Sequence, residues 1–444
     1  MTLQILRAAA LTFDRDPFLS DPAASFTYWA DAAITLEHGL IRSVAPFAAA
    51  AIPQTAQVAS YPDSLVLPGF IDAHVHYPQT QMIAAFGEHL LAWLDRYTFV
   101  AEQQFADRTH AEEIAGVFLR ELLRNGTTTA AVYCTVHPQS VEAFFAESAR
   151  FNTRMIAGKV MMDRNAPAAL CDTVESGVRD SLHLMERWHG RGRQLYCVTP
   201  RFAGSSSPEQ LAAAGRLWRE HPGVYMQTHL NESLDEIAWI ASLFPEHKSY
   251  LDVYDSAGLT GPRAIFGHGV HMTEADFALC HATGSALAHC PTSNLFLGSG
   301  LFRLFEARRP DRPVRVGLGT DIGAGTSFSQ LTSLNEAYKI AQLGNTRLTA
   351  AHAFWLATRG GAQALYLDDR IGALAPGYEA DMVVLDLAAT PLMEFRMGCC
   401  ETLMDKLFVA MMLGDDRMVR ATYVAGEKVY DRDRPDAPFS YPAG

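Results

Sequence analysis

A chain of 444 residues, 49% apolar and 19% charged, has the composition of a folded protein with a large core and excludes a disordered or fibrous chain. Its formal charge of −13, with no cluster of Lys or Arg, excludes a protein that grips nucleic acid or an anionic membrane through phosphates. No apolar run approaches the roughly 18 residues of a membrane-spanning helix, and seven Cys, an odd number, fit reduced thiols in a cytoplasmic protein.

From the N-terminus, the apolar stretch Leu3 to Phe13 lacks a basic leader and a small-residue cleavage site, and reads as a strand rather than a signal peptide. Short strands follow over Ala32 to Leu40 and Leu40 to Val44. Eight apolar, β-branched runs then recur: Leu65 to His76, Gly126 to Cys134, Arg154 to Asp163, Leu195 to Arg201, Val224 to Glu232, Ala264 to Val270, Ala286 to Pro291 and Val314 to Asp321. Between them, segments such as Ala111 to Asn125, Pro208 to Glu220 and Glu274 to Thr283 carry the 3.6-residue period of helices. Strands that alternate with helices are parallel, and eight such units make a (β/α)8 barrel whose reactive side chains stand at the C-terminal strand ends. An open doubly wound sheet would want a Gly-rich turn after its first strand, where Ala73-His74-Val75-His76 stands instead. From about residue 376 short strands return, over Asp381 to Asp386 and Met418 to Tyr430. The expected organisation is therefore a small β-sandwich domain built from both termini, residues 1–67 and 376–444, interrupted by a barrel over 68–375.

The strand ends carry the chemistry. His74 and His76, at i and i+2, point to one side of the first barrel strand and can reach one metal. The fifth run contains His229 and Glu232, the sixth His268, the seventh His289, and the eighth ends in Gly319-Thr320-Asp321. Three imidazoles and a carboxylate that leave one coordination position open are the makings of a water-activating Zn²⁺ or Fe²⁺ site. The fourth run ends in Val198-Thr199-Pro200-Arg201, with no Lys that could be carboxylated to bridge two metals, so one metal is expected. Glu232, at the start of the helical pattern Ser233 to Ile240, is the candidate to move protons, which needs a carboxyl raised by burial. Asp321 is open to two roles, metal ligand and acceptor of the water's proton.

Pro68-Gly69-Phe70-Ile71-Asp72-Ala73-His74-Val75-His76 resembles the opening signature of the amidohydrolase superfamily, and Gly372 to Asp381 resembles its return into the β domain. Within it, the chain is similar to the guanine-deaminating members through Gln79, Trp93-Leu94-Asp95-Arg96-Tyr97-Thr98-Phe99, Val198 to Phe202, Thr228 to Ser233, His289 to Asn294 and Gly317 to Asp321. The resemblance implies that His74, His76, His229 and Asp321 hold one zinc per subunit, with iron the alternative. It implies that His268 faces the attacking water and holds the oxyanion while Glu232 shuttles the proton. Gln79, Arg201 and the Phe202 backbone would read the edge of a purine, beside His229 and Glu232, between walls made by Trp93 and Phe202. Arg offers a fixed donor fork, Gln both donates and accepts, and aromatic faces suit a flat heterocycle. Buried without a ligand, Arg201 would need a carboxylate partner.

On this resemblance the expected activity is hydrolysis of free guanine to xanthine and ammonia, by a cytoplasmic homodimer that binds neither nucleic acid nor membrane. Two rivals stand beside it. One is the same machinery acting on 8-oxoguanine, a pterin or a triazine; the other is an inert scaffold, from which ligands should be missing, whereas every proposed ligand is present. Asp163, Lys159 and the pair Cys399-Cys400 are weaker candidates.

Overall fold

The computed structural model describes residues 3–50, 52–87 and 89–434. Four strands open the chain: β1 (Gln4–Phe13), β2 (Phe26–Glu37), β3 (Leu40–Pro46) and β4 (Gln57–Pro68). His38 and Gly39, both with positive φ, make the tight turn between β2 and β3. Nine strands follow: β5 (Phe70–His76), β6 (Thr127–Tyr133), β7 (Arg154–Gly158), β8 (Val160–Met161), β9 (Leu195–Pro200), β10 (Tyr225–Leu230), β11 (Ala264–His268), β12 (Ala286–His289) and β13 (Arg315–Leu318). The last three are β14 (Met382–Asp386), β15 (Val419–Val424) and β16 (Glu427–Asp431).

Strands from both ends of the chain pair in one seven-stranded sheet, ordered β16-β15-β14-β4-β1-β2-β3. Alternate residues of these strands, among them Leu6, Ile34, Ile41, Val66, Met382 and Tyr423, bury a single cluster. The sheet therefore wraps its apolar face around one core, as the period of two requires when only one face is dry.

The middle strands form a second sheet in sequence order, β5-β6-β7-β9-β10-β11-β12-β13, with β8 beside β9. Asp321 N donates to His74 O at 2.9 Å and His76 N to Ile322 O at 3.0 Å, so the segment after β13 returns to β5 and the sheet all but closes into a barrel. Helices alternate with these strands as expected. Pro208–Glu220 and Glu274–Thr283 form over the residues their periodicity marks. Ser207 caps the first, ahead of a Pro at its first position, and a Thr273–Asp276 capping box opens the second, with Gly284 closing it in the left-handed conformation.

Two boundaries differ from the sequence reading. The apolar run Leu65 to His76 is two strands, because β4 pairs in the terminal sheet up to Pro68 while β5 starts the barrel at Phe70. The run Arg154 to Asp163 breaks at Lys159 into β7 and β8. Contacts divide the chain into two compact units. One gathers the chain to Ile71, Arg120–Thr129 and the chain from Phe328, including the weaker candidates Cys399 and Cys400; the other gathers Asp72–Leu119 and Ala130–Ser327 and holds every proposed metal, catalytic and substrate-facing residue. Among the described residues no helix is long and apolar enough to cross a membrane.

Candidate active site

The residues that carry chemistry are among the last ones of their strands or lie within three residues beyond them. β10 ends at Leu230, β11 at His268 and β13 at Leu318, and the chain then turns through Asn231, His268 and Asp321 with φ of 51°, 71° and 53°. Left-handed backbone at non-glycine residues costs on the order of 1 kcal/mol each and is held in place by surrounding structure. These turns aim side chains across the barrel mouth.

There His74 Nε2 and His76 Nε2 each lie 3.3 Å from Asp321 Oδ1, and His76 Nε2 lies 3.2 Å from His229 Nε2. Donor atoms of His74, His76 and Asp321 fall within 4.8 Å of one another, as do those of His74, His229 and His268. His268 Nε2 sits between the two carboxylates, 3.4 Å from Glu232 Oε2 and 3.8 Å from Asp321 Oδ2. Burial lowers His74, takes His76 to about 3 and, with neighbouring imidazoles, holds His229 well below its ordinary value. All three rings are thus neutral, with lone pairs available. Burial alone would raise the Asp321 carboxyl, but the His74 and His76 imidazoles set against it, with His268 nearby, hold it well below the usual carboxylate range. Neutral imidazoles beside an ionised carboxylate fit a Zn²⁺ or Fe²⁺ ion, and the buried His74 Nε2 stands 3.3 Å from Asp321 Oδ1 without a well-formed hydrogen bond to it.

Other groups fix this donor set from behind. His229 Nδ1 lies 2.7 Å from the Arg201 carbonyl oxygen, which leaves Nε2 facing the centre. His268 Nδ1 lies 2.9 Å from Asn294 Oδ1. Asp72, fully buried, accepts from His74 N and Thr320 N at 3.1 Å and from the Thr320 hydroxyl, tying the ends of β5 and β13 together. Two glycines make room for His74: a Cβ at Gly267 would stand 2.5 Å from His74 Cε1, and one at Gly319 would stand 2.9 Å from His74 Cβ.

Glu232 follows Asn231 and precedes the helix Leu234–Leu243, which Ser233 and Glu236 open with a capping box. Glu232 N also donates to Glu236 Oε2 at 2.9 Å, so backbone geometry fixes where this carboxyl points. Burial, with Glu236 and Asp321 nearby, raises Glu232 well above its ordinary value and favours its protonated form. It is a buried acid placed to give and retrieve a proton.

Glu232, His268 and Asp321 line one cavity with Gln79, Trp93, Arg201 and Phe202. Trp93 ends the helix Leu90–Trp93, and a π-helical turn over Leu94–Thr98 links it to the helix Phe99–Gln103. Its ring is buried, and its Nε1–H has no partner among the described residues. Phe202 is held by Trp239 at a ring separation of 5.8 Å. Sequence reasoning foresaw a partner for Arg201 without finding it: Arg201 Nη1 donates to both carboxylate oxygens of Glu102, each at 2.8 Å. Gln79 Nε2 donates to the same Glu102 at 3.2 Å, and Gln79 Oε1 accepts from Gly323 N at 3.2 Å.

Three sequence candidates stand elsewhere. His289 is buried with its ring stacked on Phe302 at 4.6 Å and is not part of the donor cluster. Lys159 pairs with Asp172, and Asp163 accepts from Ser207 N at 2.6 Å beside the helix Pro208–Glu220. Neither lines the cavity.

A family model described as the amidohydrolase family matches residues 65–429. The chain belongs to the amidohydrolase family. This amidohydrolase is 54% identical to the guanine deaminase of Escherichia coli over 382 residues, which cover 86% of this chain and 87% of that protein. The solved E. coli guanine deaminase superposes with a TM-score of 0.93 at 48% identity, covering 97% of this chain and all of that one. The guanine deaminase of C. acetobutylicum, solved with guanine bound in its active site, matches with a TM-score of 0.86 at 26% identity, covering 97% of this amidohydrolase and all of that chain.

Proposed function

We propose that this amidohydrolase hydrolyses guanine to xanthine and ammonia. The observation that carries the reading is one cavity lined by two chemically distinct sets of groups: a donor fork on Arg201 with Gln79, and the acid, imidazole and carboxylate of Glu232, His268 and Asp321. The similarity to guanine deaminases over most of the chain supports the same activity. His74, His76, His229 and Asp321 would hold one Zn²⁺ per chain, with Fe²⁺ the alternative for the same donors. When bound, such an ion lowers the pKa of a water toward neutrality.

Arg201 and Gln79 hold the purine's oxygen and edge nitrogens, while Trp93 and Phe202 confine the ring. Asp321 accepts a proton from the attacking water as its oxygen adds to C2. Glu232 delivers a proton to the adjacent ring nitrogen, and His268, whose Nε2 stands between Glu232 and Asp321, holds the oxygen that has added. Collapse passes the proton held by Asp321 to the amino group, which leaves as ammonia, while the proton still on the added oxygen goes to Glu232, restoring the acid and leaving the C2 carbonyl of xanthine. The reading extends to a homodimer in the cytoplasm, where seven free cysteines remain reduced. It also takes the terminal sheet as one domain, 1–67 with 376–444, around a barrel over 68–375; residues 435–444 of that division lie outside the described ones.

Ammonia release from a panel of guanine, 8-oxoguanine, a pterin and an aminotriazine tests the assignment. Guanine should give the highest kcat/KM, and a higher value for another ring would replace it.

A further inference from the structure

Glu102 has no role in the chemistry above, yet it is fully buried and touches both residues that face the substrate's edge. It comes from the helix Phe99–Gln103, 99 residues before Arg201 in the chain. Its two oxygens take Nη1 of Arg201 and Nε2 of Gln79, and Gly323 N takes the other end of the Gln79 amide. Both contacts with Glu102 use Nη1, so neither Nη2 nor Nε of the fork is spent on that pair. Arg201 itself is only 2% exposed. A lone guanidinium there would be a buried, uncompensated cation, and any anion small enough to enter would be drawn to it. Paired with Glu102, it keeps its directional N–H groups without its net charge.

We propose that Glu102 is a positioning and charge-cancelling residue: it locks Arg201 and Gln79 in one orientation and makes the cavity select neutral, acceptor-bearing heterocycles over anionic ones. The inference rests on the assignment of Arg201 to the substrate's oxygen. It carries a consequence for turnover. Xanthine has a second oxo group, its ring N–H is flanked by carbonyls, and it ionises more readily than guanine; a charge-cancelled fork does not retain the ionised product.

The test uses the zinc-loaded full chain and two isosteric probes, nicotinate and nicotinamide, whose dissociation constants are measured by titration calorimetry. Glu102→Gln keeps the shape and removes the charge. Relative to nicotinamide, nicotinate should bind about tenfold or more tighter than it does to the parent protein, because its carboxylate then meets a buried cation that no longer has a compensating charge. Glu102→Asp keeps the charge and withdraws the acceptor, so it should leave the ratio near the parent value while raising KM for guanine. A folded, zinc-loaded Glu102→Gln with the parent ratio, or an equal gain in Glu102→Asp, would overturn the proposal. Should Glu102→Gln not fold, Arg201→Gln makes the opposite change in charge, and its ratio should shift against nicotinate; an unchanged ratio would again refute it. Neither constant depends on turnover. A chain that leaves guanine intact would remove the proposed activity without touching this result.

Discussion

Glu232→Gln isolates the proton from everything else Glu232 does. Burial, Glu236 and Asp321 push the native carboxyl well above its ordinary value, toward the neutral form, so a Gln amide matches its shape and comes close to its resting charge. The anchoring bond runs from Glu232 N to Glu236 Oε2 and is a backbone contact that the substitution leaves in place. Stability should therefore move by less than about 1 kcal/mol, and KM for guanine by only a few-fold. The amide cannot deliver a proton to the ring nitrogen and take it back. Loss of a positioned general acid costs about 10² to 10⁴ in rate, or roughly 3 to 5 kcal/mol of barrier. The assay is kcat from xanthine formation, with zinc per chain and thermal midpoint recorded on the same preparation. A kcat within about threefold of the parent, at equal zinc, would remove Glu232 from the proton path.

The same geometry sets three further outcomes. His74→Ala removes one of four proposed ligands, and metal analysis after dialysis should find well under one equivalent; a full equivalent would refute the ligand assignment. Gly267→Ala places a methyl 2.5 Å from the His74 ring, which must shift, so zinc affinity should drop about 10- to 100-fold in a chelator competition, and unchanged affinity would show that His74 tolerates displacement. Burial holds His289 at about 3, below its ordinary 6.5, so the unfolded chain binds a proton there that the folded chain does not. That contribution is complete above pH 6.5 and is lost as pH falls toward 3, at up to about 1.4 kcal/mol per pH unit. His289→Phe should flatten the acid limb of a denaturation series by on the order of 2 kcal/mol at about pH 4.5, and parallel limbs would contradict the buried neutral ring.

The donor set was legible in the sequence because strand ends are where a parallel barrel exposes reactive groups, and His74, His76, His229, His268 and Asp321 all occupy such ends. Position at a strand end was not sufficient, however. His289 has the same placement, but its ring turns onto Phe302, and a one-dimensional pattern does not report rotamers. The run Leu65 to His76 reads as one strand because burial is continuous through Pro68 and Gly69, although the sheet changes between them. Glu102 escaped for a different reason. Its two partners lie 23 and 99 residues away, and the only sequence signals were an acid within an apolar helix and the unmet need of Arg201 for a carboxylate.

The central claim is that these donors and this acid together release ammonia from guanine. Its most direct test is the yield of ammonia and xanthine from guanine by the full chain titrated with zinc. The expected result is equal amounts of both products, with activity rising linearly and levelling at one zinc per chain. A folded protein that holds one zinc per chain and leaves guanine intact would contradict it.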